Sequence, residues 1–238
     1  MLRSGYLSPL PAEMVDRPQD YRSRVSAIRW LAPPVVEADL ELLDPPPLVF
    51  QAGQWISIPL GGKTVRAYTI ASPPSQDHVL TLCVDVGPEG PGSKWFKALR
   101  VGQEVSFKAP NGDFVLRKGS GLAPIFVAEE IGIVPFRSML LDLFERPVPR
   151  DVLLLFGAAR RELLVYDQEF GAMAARHPKF RYLSTLDEPL WELVDRTVAS
   201  TEGKEAYLCG GGTMIARVRE WLMAHGMERR LIKREKFW

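Results

Sequence analysis

The spacing of apolar residues changes near residues 117–121, and this change constrains the fold more than any other feature of the chain. Before it, short runs that alternate between apolar and polar residues are separated by turn-forming residues. Several short strands at such intervals favour a small antiparallel β-barrel. The predicted strands are residues 21–30, 40–43, 55–59, 64–72, 78–86, 104–109 and 114–115.

After residues 117–121, buried apolar runs alternate with amphipathic helical segments. This βα alternation implies a doubly wound α/β domain with a parallel sheet. The predicted strands are residues 123–128, 152–156, 180–184 and 206–209, and the predicted helices are residues 134–145, 166–176, 190–200 and 214–225. We therefore expect an irregular N-terminal arm (1–20), an antiparallel β-barrel domain (21–118) and an α/β domain (119–238).

The totals exclude several classes of function. A formal net charge of +1 gives no global field that would attract nucleic acid or an anionic membrane. The two cysteines, Cys83 and Cys209, lack metal-ligand spacing, so we expect no metal site and place any iron–sulfur centre on another protein. We find no signal-peptide pattern and no apolar run near the ~20 residues that cross a bilayer, which predicts a cytoplasmic protein without a membrane span.

The stretch Arg-Ala-Tyr-Thr-Ile-Ala-Ser at residues 66–72 carries the clearest functional signal. On a strand, Arg66 and Tyr68 project from the same face, and a cation beside an aromatic plane suits a ligand with phosphates and a flat ring. The alternative is an ordinary half-exposed strand.

Downstream, Gly92 and Ser93 open a predicted helix at 93–99 with Ser93 as the N-cap. Its free N–H groups would bind an anion, unless it is a plain surface helix.

Four other stretches stand in order around this one. They are Phe-Gln-Ala-Gly-Gln-Trp at 50–55, Gly-Pro-Gly-Ser-Lys-Trp-Phe at 90–96, Tyr-Leu-Cys-Gly-Gly-Gly-Thr-Met at 207–214 and Ile-Lys-Arg-Glu-Lys-Phe-Trp at 232–238. Together the five resemble the ferredoxin–NADP reductase family of flavoproteins, across roughly residues 21–238.

The resemblance implies an FAD site, FMN being disfavoured, in which the flavin is held by Arg66, Ala67, Tyr68, Thr69, Gly92, Ser93, Phe237 and Trp238. It also implies that Thr69, Cys209 and Glu235 lie at the reacting atoms. Two plainer interpretations stay open from the residues alone. Cys209 would be a buried residue at a strand end, and the two final aromatic residues would simply dock on the sheet.

The same resemblance implies a pyridine dinucleotide at Gly132, Arg160, Gly210 and Gly211, although Arg160 also reads as an ordinary exposed loop charge. Members of the family usually show Gly-Gly-Thr-Gly-Ile-Ala-Pro after the first strand of this domain, whereas residues 129–135 begin with Glu129 and Glu130. Two carboxylates beside a diphosphate would each cost about 1 kcal/mol in water and up to ~4 near a protein surface. A glutamate here is also expected to supply the anion favoured at the N-terminus of the helix after Pro135.

Acidic residues at 187–188 stand where NADP users tend to carry Arg, so we expect NADH in preference to NADPH, with weak or absent binding. The predicted function is an FAD-dependent oxidoreductase that moves electrons between NAD(P)H and a one-electron carrier through the flavin N5. The partner would be a separate ferredoxin-like, iron–sulfur or haem protein, or an oxygenase or complex subunit. The alternative is a flavin-containing electron-transfer or regulatory subunit that no longer binds a pyridine dinucleotide. A third possibility is a structural subunit without flavin.

Overall fold

The first domain is an antiparallel barrel. A computed structural model describes residues 17–117, 119–186 and 188–238. The first six strands of the chain form one sheet in the order β4-β3-β6-β1-β2-β5. A β-bridge between Ile70 and Leu82 joins the two edges of this sheet. The elements are β1 (Gln19–Ala32), β2 (Val35–Asp44), β3 (Trp55–Gly61), β4 (Thr64–Thr69), β5 (Val79–Asp85), α1 (Pro91–Ala98) and β6 (Glu104–Asn111).

Side chains point alternately into and out of the barrel, and those that point inward fill its interior. Tyr21 and Val25 of β1 point inward, while Arg22 and Arg24 between them are exposed. Tyr21 stacks on Phe107 of β6 with ring centroids 5.5 Å apart. The period-two pattern that predicted these strands is therefore the pattern that builds the core.

The second domain is a parallel sheet with helices on both faces. The strand order is β11-β10-β7-β8-β9, so the order reverses between β7 and β10. Its elements are β7 (Ala123–Glu129), α2 (Val134–Phe144), β8 (Val152–Gly157), α3 (Asp167–Arg176), β9 (Phe180–Thr185), α4 (Leu190–Thr197), β10 (Lys204–Gly210), α5 (Gly212–Ala224) and β11 (Ile232–Lys236). Short 3-10 turns cover Glu130–Ile133, Arg161–Leu163 and Arg229–Leu231.

The two faces of this sheet bury different helices. Phe126 of β7 and Cys209 of β10 face the layer of α2 and α3, whereas Val127 and Leu208 face α4 and α5. The first of these layers also packs on the barrel, since its apolar cluster includes Ala71 of the first domain. The predicted fold class, a β-barrel followed by a doubly wound α/β domain, is confirmed. Among the described residues, no helix is both long and apolar enough to cross a membrane.

Apart from shifts in where several elements begin and end, four local expectations differ from the structure. The predicted arm reaches residue 20, but β1 begins at Gln19, and residues 1–16 lie outside the described part. The strand predicted at 114–115 is wrong, because Phe114 is buried between the domains, with its ring centroid 5.8 Å from Phe136. Ser93 is not the N-cap of α1, since Gly90 takes that place. The fourth is β11, which we did not predict as a strand.

Candidate functional site

A cavity of about 690 Å³ lies between the two domains and brings the main predicted site residues together. Its volume is typical of small-molecule and cofactor sites. The barrel contributes the end of β4 and part of β5, and the α/β domain contributes the turn after β7, the end of β11 and the two residues that follow it. The predicted residues that line it are Ala67, Tyr68, Thr69, Glu235, Phe237 and Trp238.

Tyr68 presents a buried hydroxyl without a hydrogen-bond partner among the described residues. Its ring lies against Trp95 and Phe96, with centroids 6.2 Å and 5.4 Å away. Burial raises the pKa of Tyr68 to about 12, although the charge of Arg66 acts in the opposite direction. A buried hydroxyl that bonds nothing is costly, so this group is suited to a ligand that supplies the missing partner.

Arg66 and the start of α1 stand beside that hydroxyl. A Cβ atom at Gly92 would lie 2.9 Å from the Tyr68 hydroxyl oxygen and 3.5 Å from Arg66 Cγ, so glycine allows the helix to approach this face. Helical bonding begins where the Lys94 N–H donates to the Gly90 carbonyl oxygen at 3.0 Å. The N–H groups of Gly92 and Ser93 therefore have no acceptor within the helix. Together with the exposed guanidinium of Arg66, they form an arrangement that suits a phosphate.

Glu235 and Cys209 are neighbours in the register of β11 and β10. Burial, followed by repulsion from Asp113, raises the pKa of Glu235 to about 7, and its Oε2 atom has no hydrogen-bond partner among the described residues. Burial also raises the pKa of Cys209, whose side chain is fully enclosed in the core rather than lining the cavity. Glu235 thus lines the cavity, and Cys209, its neighbour in the register, does not.

The two final aromatic residues lie at the edge of the cavity. The Phe237 N–H donates to the Gly210 carbonyl oxygen at 3.1 Å, which holds this segment against β10. Trp238 remains 49% exposed, although we expected an apolar terminus to be buried. Its indole Nε1 lies 2.7 Å from the position that a Cβ atom would take at Gly211, so Trp238 covers the glycine-rich turn.

Three of the four residues predicted to bind a dinucleotide lie together, because a Cβ atom at Gly132 would be 2.9 Å from the backbone nitrogen of Gly210, which precedes Gly211. Gly132 is buried, and a Cβ atom there would lie 2.4 Å from the Cys209 carbonyl oxygen, so this glycine allows the turn to pack on β10. Arg160 is exposed and pairs with Glu162 at 3.3 Å. Gly210 ends β10 and Gly211 follows it, and both lie beside Glu129.

Glu129 and Glu130 point toward backbone donors at neighbouring strand ends. Glu129 Oε2 accepts a hydrogen bond from the Gly211 N–H at 2.9 Å, and Glu130 Oε1 accepts one from the Ala159 N–H at 3.4 Å. The expectation that a glutamate caps the helix after Pro135 is wrong. A 3-10 turn separates β7 from α2, and the Glu129 carboxylate reaches the start of α5 instead.

The acids at 187–188 are described only in part, because Asp187 lies outside the described residues. Glu188 pairs with Arg196 through two short contacts of 2.7 Å and 2.6 Å. The Arg196 guanidinium lowers the pKa of Glu188.

Several residues that line or support the cavity were not predicted as site residues, among them three with aromatic or thiol side chains. Trp55 lines the cavity because it pairs with Thr69 between β3 and β4, and Cys83 lines it from β5. Trp95 supports the Tyr68 ring from α1. The motif at 50–55 already contains Trp55, but its place beside Thr69 depends on strand pairing that the motif alone does not reveal.

Comparison with known proteins identifies the family of each domain. The family described as "Oxidoreductase FAD-binding domain" matches residues 34–116, and "Oxidoreductase NAD-binding domain" matches residues 126–220. The chain is 32% identical to ferredoxin–NADP reductase B of Sorangium cellulosum, with 85% of this chain and 91% of that protein covered. It is 34% identical to the reductase component of phenol 2-monooxygenase from Pseudomonas sp., with 92% of this chain but only 66% of that protein covered.

Among solved structures, the chain is similar to a cytochrome P450 reductase from Amycolatopsis, at 27% identity and a TM-score of 0.84, with 92% of this chain and 70% of that one covered. The match to the Sorangium reductase spans most of both chains. The chain therefore belongs to the ferredoxin–NADP reductase family, and its two domains are those of a flavin-dependent NAD(P)H oxidoreductase.

Proposed function

We propose that this protein takes reducing equivalents from NADH onto bound FAD and passes electrons singly to a separate carrier protein. FAD supplies the redox chemistry, because it accepts a hydride and can release electrons one at a time. The relatives named as reductase components of oxygenases support a partner of the iron–sulfur or haem type, or an oxygenase subunit. The protein's own share is to bind, orient and shield the cofactor.

The observation that carries this proposal is the interdomain cavity with the Tyr68 hydroxyl, which has no hydrogen-bond partner in the part of the chain that the structure describes. The residues fit FAD at both ends of the cofactor. Arg66 and the free N–H groups of Gly92 and Ser93 suit a diphosphate, and the cavity beyond Tyr68 suits a flat ring. A side chain at Gly92 would fill the space beside the hydroxyl, so the cradle depends on that glycine.

The remaining residues shape the reacting end of the site. We assign Ala67, Tyr68 and Thr69 to the ring, with Thr69 at its reactive edge. Glu235 would hold a proton there, since a carboxyl group with a pKa of about 7 is protonated in part at neutral pH. We assign Cys209 to a supporting role, because it adjoins Glu235 from β10 without lining the cavity.

Phe237 and Trp238 would cover the ring and exclude water. The pyridine nucleotide would enter at Gly210 and Gly211, beside this cover.

We further propose NADH as the preferred nucleotide. Arg196, a cation near the turn after β9, is already paired with Glu188, so a 2′-phosphate would have to compete with that carboxylate. Loss of dinucleotide binding has no support, since the NAD-binding family matches residues 126–220, which include Glu129 and Glu130.

An absorption spectrum with mass analysis of the released cofactor tests the first half of this function. We expect a flavin spectrum and the mass of FAD. Anaerobic addition of NADH should then bleach the flavin, and a one-electron acceptor such as ferricyanide should restore the colour. Colourless protein reconstituted with FAD that retains none of it would contradict the proposal, as would bound flavin that neither NADH nor NADPH reduces.

A further inference from the structure

The place where the strand order of the α/β sheet reverses is bridged by a side chain of the protein itself. In doubly wound sheets, ligands bind in the crevice at the carboxyl ends of the two strands that flank this reversal. Here those strands are β7 and β10. Glu129 is the last residue of β7, and its Oε2 atom accepts a hydrogen bond from the Gly211 N–H, just beyond β10, at 2.9 Å. A carboxylate therefore spans the crevice.

Two glycines make room for this carboxylate. Gly210 has a φ of +148°, and a Cβ atom there would lie 2.6 Å from the Glu129 Cβ. A Cβ atom at Gly211 would lie 2.8 Å from Glu129 Oε2 and 2.7 Å from Trp238 Nε1. The glutamate and the indole thus converge on one turn, and α5 begins at the next residue, Gly212. The start of a helix favours negative charge, which Glu129 supplies.

Glu130 repeats the arrangement on the other side of β7. Its Oε1 atom lies 3.4 Å from the Ala159 N–H, just after β8. Its φ of +46° is in the left-handed region that favours glycine. Adjacent glutamates therefore place carboxylates against backbone donors at both strand ends that neighbour β7.

We propose that Glu129 determines the affinity of this protein for its pyridine nucleotide, by competing with the nucleotide's phosphates for the Gly211 N–H and the start of α5. This inference rests on the proposed function. The nucleotide must either displace the carboxylate from Gly211 or bind beside it, and both alternatives weaken binding. Glu130 makes a smaller contribution of the same kind, because its contact with the Ala159 N–H is longer.

The test measures NADH binding by calorimetry on the FAD-loaded protein. Glu129→Gln keeps the size and one acceptor oxygen but removes the charge, and Glu129→Gly removes the side chain. We expect about tenfold tighter NADH binding for Glu129→Gln and at least as large a gain for Glu129→Gly. Glu130→Gln should gain less. Glu192→Gln, which removes an exposed carboxylate from α4, controls for the change in net charge and should leave NADH affinity unchanged.

Salt gives a second measurement of the same competition. Added salt screens repulsion between exposed charges. The advantage of Glu129→Gln over the natural protein should therefore shrink as ionic strength rises. An advantage that grows with salt would overturn the proposal.

Hydrogen exchange at the Gly211 amide tests the contact itself. The amide should exchange slowly in the natural protein and faster in Glu129→Gly. Equal exchange rates of the Gly211 amide in the two proteins would show that the hydrogen bond to Glu129 does not protect it, and would overturn the proposal. If Glu129→Gly does not fold, Glu129→Gln still decides the question through its NADH affinity.

Two outcomes separate this inference from the proposed function. Equal NADH affinities in the natural protein and both Glu129 variants, with the flavin still reduced by NADH, would overturn the role of Glu129 and leave the proposed function intact. Failure of NADH and NADPH to bind any of these proteins would overturn both.

Discussion

At the residue scale, the buried Tyr68 hydroxyl makes opposite demands in the FAD-free and FAD-loaded protein. It has no hydrogen-bond partner among the described residues, and an unsatisfied buried group costs about 1–3 kcal/mol. Tyr68→Phe should therefore stabilise the FAD-free protein by about 1 kcal/mol while weakening FAD binding about fivefold, through the loss of one hydrogen bond. Thermal unfolding of both forms and an FAD titration would measure this.

Tyr207→Phe is the matched control. Its hydroxyl already accepts the Arg117 N–H at 3.0 Å, so this change should destabilise both forms. A Tyr68→Phe protein that is less stable than the natural one without FAD would show that the hydroxyl has a partner within the chain.

The raised pKa of Glu235 predicts that the stability of the protein depends on pH. Burial raises its pKa from 4.5 to about 7, so the native state binds this proton more tightly than the unfolded chain does. The stabilisation is fully present below pH 4.5 and is lost as the pH rises through about 7. Glu235→Gln stays neutral, so its stability relative to the natural protein should rise by about 2 kcal/mol across this window. Urea unfolding at several pH values would measure the difference. A difference that stays constant with pH would contradict the burial of this carboxyl group.

Which site residues come together could be predicted in part from the sequence. Period two placed Arg66 and Tyr68 on one face of β4, and the turn before α1 indicated Gly92. The orientation of Cys209 could not be predicted, because β10 is buried on both faces and its apolar residues show no alternation. The direction of the Glu129 carboxylate depends on β10 lying beside β7, which the residues around Glu129 do not indicate.

At the element scale, the success of the predictions follows from how completely each element is buried. The apolar runs of β7, β8 and β10 lie in the middle of the sheet, so their sequences identify them. β11 is an edge strand, and its sequence Ile-Lys-Arg-Glu-Lys becomes a strand only through pairing with β10. The segment at residues 114–115 shows the reverse case. It is apolar because Phe114 packs between the domains. The carbonyl oxygens of Asp113 and Val115 accept hydrogen bonds from Lys233 Nζ instead of from a neighbouring strand.

At the scale of the whole molecule, polar contacts join the two domains next to the cavity. Arg137 Nη1 of α2 donates to the Ala71 carbonyl oxygen at 3.0 Å, and Ser138 Oγ donates to the Ser72 carbonyl oxygen at 2.7 Å. Ala71 follows Thr69 of the cavity by two residues. Since the first turns of α2 thus hold the segment after β4, the position of the α/β domain is coupled to the side of the cavity that we assign to the flavin ring.

Tyr166 completes this interdomain connection. Its hydroxyl donates to Oε1 of the buried Glu37 in the barrel at 2.5 Å, and Arg137 lies 4.5 Å above its ring. Burial raises the pKa of Tyr166, so it remains a donor at neutral pH. Tyr166→Phe leaves the Glu37 carboxylate without that donor, and a hydrogen bond to a charged group contributes about 1.5–3 kcal/mol. We expect a loss of stability in this range.

The lost contact connects the two domains and is not part of the flavin site. NADH should therefore reduce the flavin more slowly in the Tyr166→Phe protein, whereas the affinity for FAD should be unchanged. Stopped-flow reduction and an FAD titration would measure these two effects. Tyr182→Phe is the matched control, since its hydroxyl donates to Asp167 at 2.6 Å within one domain. That change should lower stability without slowing reduction. A Tyr166→Phe protein that is destabilised but reduced at the natural rate would show that this contact stabilises the fold without setting the geometry between the domains.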